Sequence, residues 1–144
     1  MAFKAFGMNA YQMTVDGYWV ENGRLCMPHT SAVYFVFTCR YNTFTNPFAL
    51  RRLLYIGQAV DVQERLSCHE KLSLWRQYCG PGETICFAMA EVPAVCLDVC
   101  ESALIFKHQP PCNLALTQSF PHRPTTIWLE GKTELLCANF RAAG

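Results

Sequence analysis

The sequence predicts an α+β domain, and three observations carry that prediction. Three short runs rich in branched and aromatic residues, 32–37, 53–56 and 83–92, read as strands. Two longer patterns, 61–78 and 93–108, lie between capping residues and proline or glycine breakers and read as helices. Hairpin signals stand toward both ends. The chain of 144 residues, 51% hydrophobic, shows no repeat, low-complexity tract or second domain, so residues 1–144 are expected to fold around one core.

In order along the chain, residues 1–31 read as a weakly patterned lead-in followed by a hairpin. Its strands are Gly17-Tyr18-Trp19-Val20 and Arg24-Leu25-Cys26-Met27, with Glu21-Asn22-Gly23 as the turn, because Asn-Gly tolerates the positive φ of a primed turn. Ala32-Val33-Tyr34-Phe35-Val36-Phe37 follows, and its unbroken apolarity predicts burial on both faces. A loop from Arg40 to Arg51 leads to the strand Leu53-Leu54-Tyr55-Ile56, with Gly57 allowing a tight exit from it.

Asp61 and Glu64 fit the capping of a helix that runs to about Tyr78 and stops at Gly80-Pro81-Gly82. At ~100° per residue, Val62, Leu66 and Leu72 share an arc of that helix, and Arg65 and His69 fall within it, four residues and ~6 Å apart. The plain reading is an arginine snorkelling to water and a hydrogen-bonded core histidine. In the next strand Ile85, Phe87 and Met89 alternate with Cys86, Ala88 and Ala90. Pro93 opens the second helix and Pro110-Pro111 ends it. Glu101 has Leu97, Leu104 and Ile105 within one turn and Asp98 as its polar neighbour, so an ionised carboxylate there needs a partner such as a cation or an arginine, unless it is a surface glutamate beside small Ser102 and Ala103. A terminal hairpin is expected from Thr125–Leu129 and Thr133–Leu136 around Glu130-Gly131-Lys132.

Charge and cysteine usage narrow the function classes. The net charge of +1 does not announce a nucleic-acid partner, but no acidic residue lies between Glu21 and Asp61, where Arg24, Arg40, Arg51 and Arg52 all fall. A solvated basic loop is the simpler account of that stretch. Nine cysteines without a Cys-x-x-Cys pair read as reduced, mostly buried thiols. A zinc site from Cys68, His69, Cys79 and Cys112 is the alternative. No apolar run approaches the ~18 residues of a membrane span, and Met1-Ala2-Phe3-Lys4 lacks a secretory core, so no membrane partner and a cytoplasmic address are expected.

Ala32-Val33-Tyr34, Tyr55-Ile56-Gly57, Arg65 with His69 four residues later, Glu101 on the next helix and Asn113 after a proline turn stand in an order that resembles the GIY-YIG nuclease superfamily. The likeness covers residues 32–113, and the Arg65–His69 spacing resembles its restriction-enzyme branch. Two departures are Ala32 in place of glycine and the wide separation of Tyr34 from Tyr55.

The resemblance implies a compact three-stranded antiparallel sheet flanked by helices, with hairpins added at the N- and C-terminal ends. It also implies a metal-dependent endonuclease that hydrolyses DNA phosphodiesters, with RNA left open as substrate. Glu101 would bind Mg2+, with Mn2+ as substitute, and Tyr34 would be the general base. Tyr55 would orient water or phosphate, and Arg65 would hold the non-bridging oxygens. His69 would bond the phosphate or share a proton with Tyr34, and Asn113 would pin the loop or touch the substrate backbone. Arg40, Arg51 and Arg52 would lean on DNA phosphates. The competing expectation is a catalytically silent binding module of the same ancestry. Monomer and homo-oligomer are both compatible with the sequence.

Overall fold

The computed structural model describes residues 3–7, 9–40, 49–115 and 117–144. Its framework is a mixed sheet of seven strands that curves into a half-barrel, and helix makes up only 24%. The small three-stranded sheet flanked by helices is therefore corrected. Strands β1 (Phe3–Ala5), β2 (Ala10–Val20), β3 (Ala32–Arg40), β4 (Ala49–Ala59), β5 (Glu83–Glu91), β6 (Thr125–Gly131) and β7 (Asn139–Ala142) pair in the order β4-β3-β5-β2-β6-β7, with β1 beside β2. Among the described residues only the β2–β6 pair is parallel.

The three strands expected from residues 32–92 do pair antiparallel as β4-β3-β5, but the sheet continues past β5. Its continuation is β2, in which Tyr11, Met13 and Val15 alternate with Gln12, Thr14 and Asp16. Met13 and Val15 enter the core. The hairpin expected around Asn22-Gly23 is absent. Residues Glu21–Cys26 form a 3-10 helix instead. Arg24 donates to the Glu21 and Leu66 carbonyls at 2.7 and 3.1 Å, and Arg76 pairs with Glu21. The bonds to Leu66 and Arg76 are tertiary and override the local turn preference. At the other end β6 does turn back on itself, but its partner is β7 rather than 133–136.

β3 is buried from Ala32 to Cys39, as a strand covered on both faces must be. Val33, Phe35 and Phe37 face helix α3 (Leu97–His108), whose Leu97, Cys100, Ala103 and Leu104 complete one core. Tyr34 and Val36 face α1 (Val62–Ser67) and α2 (Leu72–Arg76), whose Val62, Leu66 and Trp75 complete the other. The alternation of β5 obeys the same division, Phe87 on one side and Ala88 on the other.

The helix expected over 61–78 is two short helices. Asp61 caps the first by accepting from the Glu64 amide at 3.0 Å, but the chain leaves helical geometry at Cys68 and places His69 between them. The nine cysteines are free; Cys39, Cys86, Cys100 and Cys112 are buried, and Cys26 and Cys68 are exposed. Among the described residues no helix is long and apolar enough to cross a membrane.

Candidate active site

The cross-strand pairing of β3 and β4 sets Tyr34 directly opposite Gly57. Gly57 lies inside β4, not at its exit, and it has another purpose than a tight turn. A Cβ there would fall onto Cζ and Oη of Tyr34, so the absent side chain is the space in which the phenol lies. Tyr34 is thus held flat across its neighbour strand and only 1% exposed, with its oxygen 2.9 Å from His69 Nε2.

His69 reaches that oxygen because the chain breaks between α1 and α2. Its ring lies 4.5 Å from that of Trp75 and 5.9 Å from that of Tyr55, both measured between centroids. The indole N–H of Trp75 is buried with no hydrogen-bond partner among the described residues. The Lys71 amide donates to His69 Nδ1 at 3.0 Å. An amide can only donate, so Nδ1 is the acceptor and the neutral ring carries its proton on Nε2, donating to Tyr34. The Glu70 carboxylate also stands 3.1 Å from Nδ1, but its Oε2 accepts a 2.6 Å bond from Arg65 instead.

Burial, reinforced by the Arg65 charge, lowers the His69 pKa to about 4. The unfolded chain, with an ordinary value of 6.5, takes up a proton that the folded chain refuses. The share of stability that His69 contributes is therefore present above pH 6.5 and is lost as pH falls toward 4, where both states become protonated. Urea unfolding at several pH values tests this: His69→Gln should flatten the stability curve across that window relative to wild type.

The two phenols differ. Burial pushes Tyr34 far above the ordinary phenol range, and the Tyr55 charge adds to it. Tyr55 is only partly buried; burial and Glu101 raise its pKa, while Arg65 and a hydrogen bond from Tyr34 pull the other way. The Lys71 amide donates to His69 and His69 to Tyr34, whose ring lies 6.2 Å from that of Tyr55 between centroids. Tyr55 is the member that reaches the surface.

There Tyr55 shares a cleft of about 260 Å³ with Lys71, Glu101, Ile105, Asn113 and Leu114. α3 presents Glu101 to it from the far face of the sheet, around the edge of β4. Among the described residues the Glu101 carboxylate is met by the side-chain amide of Gln58 on β4 and not by an arginine. That amide donates to Glu101 at 3.0 Å and to Asp98 at 2.7 Å. Burial raises the Glu101 pKa and the Gln58 bond opposes the rise. Asn113 spends its amide on the backbone of Ile56, with two bonds of 2.9 Å, while the Cys112 amide donates to Leu54. It pins the segment after α3 along the β4 edge, and of its two expected roles this is the positional one.

Arg65 lies apart from this cleft. It lines a second one of about 460 Å³ with Asp61, Glu64 and Cys68, although its charge is felt by both phenols. Of the arginines expected near a substrate, Arg40 ends β3 exposed, Arg51 stands 3.6 Å from Glu83, and Arg52 lies 5.3 Å over the Tyr78 ring. Most of the loop between Arg40 and Arg51, residues 41–48, lies outside the described residues. His69 has both nitrogens engaged within the site, which leaves it no lone pair for zinc. Among the described residues no three His, Cys, Asp or Glu side chains gather as a metal group. A single carboxylate with solvent beside it still suits Mg2+, which is commonly held by one or two carboxylates, waters and substrate phosphates.

Sequence reasoning did not find Gln58, Glu70, Lys71 or Trp75. Only Lys71 carried a usable signal, a cation two residues from His69. No protein-family model, curated protein or solved structure matches the chain.

Proposed function

We propose that the protein is a metal-dependent endonuclease that hydrolyses DNA phosphodiesters, as the GIY-YIG resemblance implies. The observation that carries the proposal is the shared cleft of Tyr55 and Glu101, backed by the hydrogen-bonded row of His69 and Tyr34. A phenol poised beside a carboxylate at an open cleft suits proton transfer next to a bound cation. The buried, donor-terminated row behind it would serve no evident purpose in a surface that merely binds.

In this reading Tyr55, not Tyr34, is the general base. Tyr34 is out of reach of a polymer and its oxygen already accepts from His69. The Tyr34 hydroxyl, its oxygen occupied by the His69 N–H, offers its proton to a negative charge on the neighbouring Tyr55, whose ring stands 6.2 Å from its own. Tyr55 loses its proton to solvent, then takes one from the water that attacks phosphorus. The P–O3′ bond breaks and the 3′ oxygen is protonated from solvent. Glu101 would hold the cation, which when bound stabilises charge on the phosphate and on the leaving oxygen. Arg65, through its charge, favours ionised Tyr55.

Incubating the purified protein with supercoiled plasmid and Mg2+, Mn2+ or chelator tests the proposal. Nicking that requires the metal supports it. DNA affinity without nicking under any metal supports the silent binding module instead.

A further inference from the structure

We propose that Lys71 is a further catalytic residue, the cation that grips a non-bridging phosphate oxygen within the Glu101 cleft. The inference rests on the phosphodiesterase reading above and assigns its phosphate contact to a residue outside the expected set. Among the described residues that line the cleft, Lys71 is the one cation. Its ammonium stands 5.8 Å from the centre of the Tyr55 ring, beside the proposed base.

The engagement of its neighbours singles it out. Arg65, the expected phosphate clamp, spends Nη2 on Glu70 and opens into the other cleft. Arg51 and Arg76 likewise face carboxylates, of Glu83 and Glu21. Lys71 has no carboxylate partner among the described residues. Asn113, the other polar residue near it, has both ends of its amide on Ile56. A phosphate oxygen entering between Tyr55 and Glu101 thus meets the Lys71 ammonium, the one cation among the described residues that line the cleft.

The backbone makes the position reproducible. The Lys71 amide is bonded to His69, so the backbone that carries the Lys71 side chain and the phenol row share one short turn before α2. Replacing the side chain leaves that amide in place. Lys71→Ala therefore removes the charge without cutting the row.

Wild type, Lys71→Ala and Lys71→Arg are compared in Mg2+ for cleavage of a duplex oligonucleotide, and without metal for the salt dependence of its binding. Thermal unfolding of each variant confirms that it folds. Loss of one preorganised donor predicts a kcat about 10²-fold lower in Lys71→Ala, with KM changed much less. The slope of log affinity against log salt should shrink by about 1. Lys71→Arg should restore the slope and most of the rate.

A Lys71→Ala protein with wild-type kcat and slope overturns the inference and leaves the nuclease reading intact. A wild type that cuts under no metal overturns the nuclease reading. The slope then decides whether Lys71 meets phosphate, and an unchanged slope rejects it.

Discussion

Glu101→Gln should reduce Mg2+-dependent nicking by about 10³-fold or more, since a cation stabilises the transition state by several kcal/mol and each 1.4 kcal/mol is tenfold. The substitution preserves shape and can still bond the Gln58 amide through its carbonyl, so folding should be nearly unaffected. What disappears is the charge. Burial raises the Glu101 pKa, so the wild-type activity should also fall on the acid side at a higher pH than an exposed carboxylate would give. A bound cation would move that limb lower, and raising Mg2+ should therefore shift it downward. Plasmid nicking rates at two Mg2+ concentrations across pH measure both effects. Equal rates for Glu101→Gln and wild type would remove the carboxylate from the mechanism.

Gly57→Ala should damage stability and the site together. A methyl group there overlaps the end of the Tyr34 ring, and that ring is buried and tied to His69. Neither side can withdraw, so the cost should be about 1–3 kcal/mol, the usual range for overpacking a core. This outweighs the ~0.5–1 kcal/mol that alanine gains over glycine in the unfolded chain. Urea midpoints measure the loss. In the double variant with Tyr34→Leu, most of the penalty of Gly57→Ala should vanish, a non-additivity that identifies the phenol as the obstacle. A Gly57→Ala protein as stable as wild type would show that the ring has somewhere else to go.

The sequence makes some of this arrangement legible and hides the rest for definable reasons. The run from Ala32 to Phe37 and the alternation of β5 are local patterns: the first reports burial on both faces, the second which residues share a face. The α3 boundary is also local: Pro93 precedes it, Gln109 adopts a left-handed conformation at its end and Pro110 follows. The size of the sheet is not local. β2 has a two-residue period, but its parallel partner β6 lies more than a hundred residues away, and Asn22-Gly23 offers a competing turn.

The candidate site divides in the same way. Tyr34, Tyr55, His69 and Glu101 can be singled out by type and order, yet their roles depend on a helix break. In a continuous helix, Lys71 would stand ~200° around from His69 and could not share its surroundings. The bonds of His69 to Tyr34 and to the Lys71 amide favour the break, and it carries Lys71 to Tyr55. Gly57 looks like a turn residue in sequence because nothing local reveals that a phenol crosses it.

The assignment of Tyr55 as the base is best tested by single-turnover cleavage of a duplex oligonucleotide in Mg2+, comparing Tyr55→Phe with Tyr34→Phe. General-base catalysis contributes ~10²–10⁴-fold, so Tyr55→Phe should fall by that amount. Tyr34→Phe, which removes one supporting hydrogen bond but leaves the reacting phenol, should lose less and keep a measurable metal-dependent rate. The opposite order, with Tyr34→Phe inactive and Tyr55→Phe close to wild type, would contradict the direction of the hydrogen-bonded row and the mechanism built on it.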